Sequence, residues 1–129
     1  MTAALQTALV LIALLLVKHL FADFLFQTQR MLSGRDEYVH VGRAQHAAIH
    51  GAFSFGVFVV LGAPLVFSLV ICLAETVLHY HIDWAKGRHA ARCQHSPTDA
   101  GYWRAFGFDQ FLHQLTYVAM VWAWAFYTL

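Results

Sequence analysis

Charge is scarce in this chain. Only 12% of its 129 residues are Asp, Glu, Lys or Arg, against roughly 25% in a soluble domain. A formal net charge of +1 supplies no basic surface for nucleic acid. Cysteine is limited to Cys72 and Cys93, which make neither a disulfide framework nor a CxxC pair. Cys72 falls in an apolar run and reads as a small packing residue. The N-terminus lacks a basic leader and a small-residue cleavage site, so it is expected to be a retained transmembrane helix rather than a signal peptide. Internal repeats, low-complexity tracts and a serine or cysteine nucleophile are also missing.

What is present is apolar surface: 60% of the residues are hydrophobic. The length allows one domain, 1–129. The pattern predicts an all-α integral membrane protein, a four-helix antiparallel bundle with spans at about 3–29, 42–61, 64–85 and 105–127. Gly62-Ala63-Pro64 makes a tight turn, because proline is tolerated at the start of a helix but not within one. Gly87 is the expected C-terminal stop of the third span. Arg30, Arg35 and Arg43 flank the first connection, and Lys86, Arg88, Arg92 and Arg104 the third. The positive-inside rule puts both connections in the cytoplasm and both termini outside. Trp84 and Trp103 are then expected at the cytoplasmic interface, with Trp122, Trp124 and Tyr127 in the opposite aromatic belt.

Against this apolar background stand four polar stripes, His19/Asp23, His46/His50, His79/Asp83 (Glu75 one turn earlier) and Asp109/His113. Residues i and i+4 share a helix face, and a polar stripe in a lipid-length helix normally turns inward against partners. At 1.5 Å rise per residue, Asp23, His46, Asp83 and Asp109 lie roughly 6–9 Å below the cytoplasmic surface, and His19, His50, His79 and His113 roughly 12–15 Å. Lys18 and Glu75 lie deeper and are positioned to pair. His46, at the start of its span, also suits an interfacial role.

A lone membrane histidine is commonly a helix–helix hydrogen-bonding residue. Asp109 alone would serve as a helix cap, and Asp83 as an ion-pair partner of Lys86 or Arg88. Those separate uses do not account for agreement in depth and face across four helices. Asp23, Glu75, Asp83 and Asp109 against Lys18 also leave three surplus negative charges, which need protons or cations. Imidazole with carboxylate is the ligand set of zinc, iron and manganese. His19, His46, His50, His79, His113, Asp23, Asp83 and Asp109 are therefore candidate metal ligands, with zinc the first expectation. One of Asp23, Asp83 or Asp109 would complete the ligand set and another act as general base, since a divalent metal lowers the pKa of bound water toward ~7. The expected reaction is hydrolysis of a lipid headgroup or small molecule entering from the cytoplasmic leaflet.

The remaining polar residues read more simply. His40, His89 and His95 are expected to be solvated loop residues, and His81 to reach the interface. Gln27 and Gln110 are placed to support the stripes. Ser54, Ser68 and Thr116 are expected to bond their own helix backbones. Two rival functions stay open: proton or metal-ion transport or sensing, and a structural or partner-binding subunit. Transport needs a continuous polar route, and beyond Glu75 the helices are almost wholly apolar.

The runs HLFADFLFQTQRM, HAAIH, HYHIDWAKG and FDQFLHQL, in that order, resemble a bacterial membrane family catalogued as domain of unknown function 3307. The patterns HxxxDFxxQ, HxxIDxxK and DQxxH fall on His19, Asp23, Phe24 and Gln27; on His79, Ile82, Asp83 and Lys86; and on Asp109, Gln110 and His113. The resemblance implies a small multi-pass protein of the bacterial inner membrane, without an assigned activity. A looser similarity to membrane-bound metal-dependent hydrolases implies metal chemistry without naming a substrate.

Overall fold

The computed structural model describes residues 2–128; Leu129, expected on the outer side, lies outside them. Its elements are helices: α1 (Ala3–Phe24), α2 (Gln29–Leu32), α3 (Val41–Val60), α4 (Leu65–Cys93) and α5 (Ala100–Thr128). There is no strand among the described residues. Two of these helices, α1 and α4, are long and apolar enough to cross a membrane by length and composition.

Local chemistry sets most boundaries. Thr2 accepts from the Leu5 amide at 3.3 Å and starts α1. The helix stops at Phe24 rather than continuing to Gln29, and Thr28 then caps the short α2 by accepting from Met31 N. His40 caps α3, its Nδ1 accepting from Arg43 N at 3.0 Å, and so is half-buried rather than a free loop residue. Gly62 at φ +76° and Pro64 form the turn into α4.

Gly87 does not end α4. The helix runs on to Cys93 and ends at Gln94, which is left-handed at φ +49°. Gly87 instead permits a close approach. A Cβ there would lie 2.2 Å from the Arg35 carbonyl oxygen, so the α2–α3 connection rests directly on α4. Before α5, the Asp99 carboxylate accepts from Ser96 N at 2.7 Å, which holds that carboxyl below its ordinary range and closes the turn. Helix α5 accordingly starts at Ala100, a turn before the expected span.

The four long helices close a ring of contacts, in which α1 and α4 each pack against both α3 and α5. Burial on α3 falls at Arg43, His46, Ala47, His50, Gly51, Ser54 and Phe58, the three-and-four spacing of one helix face. The interior divides into two zones. Leu11, Leu15, Phe58, Cys72, Tyr117, Met120 and Trp124 form an apolar core toward the starts of α1 and α4 and the ends of α3 and α5. Lys18, His19, Arg43, His46, His50, Glu75, His79, Asp109 and His113 are buried from the middle of the helices toward their other ends. Outward, the helices present Leu9, Leu20, Val59, Leu73, Leu115 and Trp122. Trp124 belongs to the core and not to an aromatic belt, whereas Trp122 and Tyr127 are exposed.

Candidate functional site

Each stripe turns inward, and all four meet. On α1 the Asp23 carboxylate receives three imidazoles: His50 Nε2 at 3.0 Å and His46 Nε2 at 3.2 Å on Oδ1, and His19 Nε2 at 3.3 Å on Oδ2. On α4 the Asp83 carboxylate faces His79 Nε2 at 3.4 Å, His113 Nε2 at 3.4 Å and His46 Nε2 at 3.7 Å. His46 thus lies between the two carboxylates. It is only 2% exposed, enclosed by the cluster. The rings pack closely, with centroids 4.7 Å apart for His46–His50, 3.8 Å for His50–His79 and 4.2 Å for His79–His113.

The third aspartate is held differently. Asp109 Oδ2 accepts from Lys86 Nζ at 2.7 Å and from Gln110 Nε2 at 3.2 Å, and its Oδ1 stands 3.6 Å from His113 Nε2. Lys86, one of the two cations that Asp83 taken alone would pair with, neutralises Asp109 instead. Lys18 and Glu75 form a buried ion pair at the base of the cluster. Two lysines against four carboxylates leave the excess charge on Asp23 and Asp83, fewer than the three surplus charges expected.

Hydrogen bonding sorts the histidines. Lys18 Nζ donates to the His50 carbonyl oxygen at 3.2 Å and lies 3.3 Å from His50 Nδ1. A lysine donor at Nδ1 places the imidazole proton on Nε2, where it is donated to Asp23. His19 Nδ1 bonds the Tyr117 hydroxyl at 2.9 Å, and its Nε2 lies 3.0 Å from the Gln110 amide oxygen. By contrast, the buried His79 Nε2 and His113 Nε2 reach only the Asp83 carboxylate, at 3.4 Å each, and Asp109 Oδ1 only His113 at 3.6 Å, all outside hydrogen-bond geometry. Buried polar atoms left unbonded are uncommon and costly, and a cation between them removes that cost. The donors of Asp23, His46, His50 and His79 lie within 4.8 Å of one another, as do those of His79, Asp83 and His113. The two groups share His79 and offer the mixed imidazole–carboxylate chemistry that suits zinc, iron or manganese.

A cavity of about 320 Å³ reaches this cluster. Asp23, His46, Asp83 and Asp109 line it, together with Arg35, Asp36, Lys86, His89, His95 and Tyr102. Gln27, in the orientation that satisfies both ends of its amide, donates to the Asp23 carbonyl at 3.0 Å and accepts from Arg35 at 2.7 Å.

Two contributors escape a reading of the sequence. Tyr117 touches His19, His50 and Lys18, and lies four residues beyond His113 on the same stripe, which is the signal that marks it. Arg43 is 1% exposed and donates to the carbonyls of Arg35, Glu37 and Tyr38, tying down the connection over the site. Ser68 and Thr116 bond the backbone one turn back, at 3.0 and 2.9 Å. Ser54 does not, and its buried hydroxyl has no partner. His81 is exposed and bonds Tyr38; His89 and His95 are exposed as expected, but His89 lies in the last turns of α4 rather than in a loop, because the helix continues past Gly87.

No curated protein and no solved structure matches the chain, so the looser likeness to membrane-bound hydrolases finds no counterpart there. One family model does match, over residues 10–129, nearly the whole length. The chain belongs to the family described as protein of unknown function (DUF3307).

Proposed function

We propose that this protein is a multi-pass four-helix antiparallel bundle of the bacterial cytoplasmic membrane, with both termini outside. In this reading its His/Asp cluster is a divalent-metal site used for hydrolysis of a lipid headgroup or small molecule entering from the cytoplasmic side. The observation that carries the reading is the convergence of five imidazole Nε2 atoms on two carboxylates, with His79 and His113 facing Asp83 at 3.4 Å without hydrogen-bond geometry. Supporting it are the inverted distribution of polarity, apolar outside and titratable inside, and the clustering of basic residues at the two long connections. Zinc suits this donor set best, and iron or manganese suits it if more oxygens join.

His79, His113 and His46 are the readiest ligands, because a cation at His50 Nε2 first displaces the proton given to Asp23. A bound divalent ion supplies Lewis acidity and a water acidic enough to react near neutral pH. Asp23 and Asp83 line the cavity and divide the ligand and general-base roles between them. Asp109, locked by Lys86 and Gln110, orients His113. Tyr117 and Gln110 fix the plane of the His19 ring. A transport reading needs a polar path through the other half, where Leu11, Leu15, Phe58 and Met120 close the interior.

The test is a hydrolysis assay on protein reconstituted with zinc into vesicles of bacterial phospholipids, with soluble phosphate and carboxylate esters as parallel substrates. The reading expects turnover that a chelator abolishes and that Asp83→Asn lowers by roughly 10²–10⁴-fold. Metal-loaded protein with no turnover on any of these, or turnover indifferent to Asp83→Asn and Asp23→Asn, contradicts it.

A further inference from the structure

We infer that His89, Cys93 and His95 form a second, surface zinc site at the mouth of the cavity. Their donor atoms lie within 4.8 Å of one another, although all three side chains are exposed. The geometry comes from the end of α4. His89 and Cys93 are four residues apart on one face of the helix, and Cys93 Sγ stands 3.8 Å from His89 Nδ1. Two ligands of one tetrahedral zinc, at Zn–S ≈ 2.3 Å and Zn–N ≈ 2.0–2.1 Å, are separated by roughly 3.6 Å. The pair therefore needs only a slight adjustment to share an ion.

The third donor is delivered by the chain reversal. Gln94 adopts the left-handed conformation, which folds His95 back beside the last turn of α4. Its ring then seats on the start of α5, where Gly101 leaves room; a Cβ at Gly101 would lie 2.4 Å from His95 Nε2. The ring thus rests against the α5 backbone at Gly101 while its other face stays open to solvent.

One thiolate and two imidazoles are a borderline-soft set that fits zinc, with the fourth position free for water or a ligand from the cavity. Binding is an exchange without redox change: the Cys93 thiol gives up its proton to solvent as sulfur bonds the ion. His89 and His95 also line the cavity that reaches Asp23 and Asp83, so an ion held here stands at its entrance. The site needs nothing from the interior cluster and stands without the function proposed above.

The test uses full-length protein in detergent, purified on a tag without histidine, kept reduced and stripped of metal, then titrated with Co²⁺ and Zn²⁺. A thiolate-to-cobalt charge-transfer band should appear and be displaced by zinc. It should vanish in Cys93→Ser and persist in Cys72→Ser and in His79→Ala. His89→Ala and His95→Ala should each weaken zinc binding at this site by at least the roughly tenfold that losing even an outer hydrogen-bond partner of a ligand costs. All three residues are exposed, so folding is not at stake. Absence of the band in reduced protein, or its survival in Cys93→Ser, overturns the inference. Unchanged affinity in both histidine variants does so as well.

Discussion

Lys18 carries the heaviest single burden of charge inside the protein. It pairs with Glu75, donates to the His50 backbone and lies over the Tyr117 ring at 4.6 Å. Removing one partner of a buried pair leaves an uncompensated charge, a loss of roughly 3–5 kcal/mol. Lys18→Met is therefore expected to destabilise the protein by about that much in detergent thermal unfolding, and Lys18→Met with Glu75→Leu to recover most of it. Equal losses in the single and double variants would show that the pair is not the reason. Tyr117 gives a subtler test. Its hydroxyl bonds His19 Nδ1 at 2.9 Å and lies 3.4 Å from His50 Nδ1, so Tyr117→Phe removes only orientation. Metal affinity should fall by roughly 10–100-fold at unchanged helix content; unaltered affinity would leave Tyr117 a packing residue.

At the scale of elements, the contact between the α2–α3 connection and α4 governs access to the site. Gly87 faces the Arg35 carbonyl so closely that any side chain must push the connection away. Arg43 fastens the same segment through three backbone carbonyls. Gly87→Val is expected to free residues 33–40, seen as faster amide exchange and proteolysis there, while α4 stays helical. Unchanged protection would mean that the connection is held elsewhere. This contact also marks where the sequence stops being legible. The stripes could be read because a helix repeats every 3.6 residues, so one face is written into spacing alone. Gly87 resembles any helix-ending glycine until the segment crossing it is known. Likewise the Lys86–Asp109 pair joins two helices, and local spacing offered Asp83 as the nearer partner.

Across the whole molecule, polarity is sorted twice: along the helices, into an apolar half and a titratable half, and radially, with apolar side chains facing out. The all-helical fold follows from composition, and the meeting of the four stripes from depth arithmetic. Tyr117 carried only its place four residues beyond His113 as a signal, and the His89–Cys93–His95 group carried none. A tyrosine in an apolar helix resembles an interfacial aromatic, and the triad depends on a left-handed turn at a non-glycine residue, Gln94. If the bundle spans the membrane as proposed, reporter fusions near Arg35 and Arg92 should lie in the cytoplasm and fusions after Thr128 outside. A fusion after Thr128 reporting from the cytoplasm would undo the arrangement.

The central claim is that the buried imidazoles and carboxylates hold a metal, and its most direct test is elemental analysis. Protein should be extracted gently from membranes without chelator, and metal measured per chain in the wild type and in His79→Ala and His113→Ala, all in a Cys93→Ser background to exclude the surface group. One to two equivalents of divalent metal are expected in the parent, with most of it lost in either histidine variant. Protein that emerges metal-free and takes up none on addition of zinc, iron or manganese would contradict the claim. The cluster would then be protonated carboxylates hydrogen-bonded to neutral histidines.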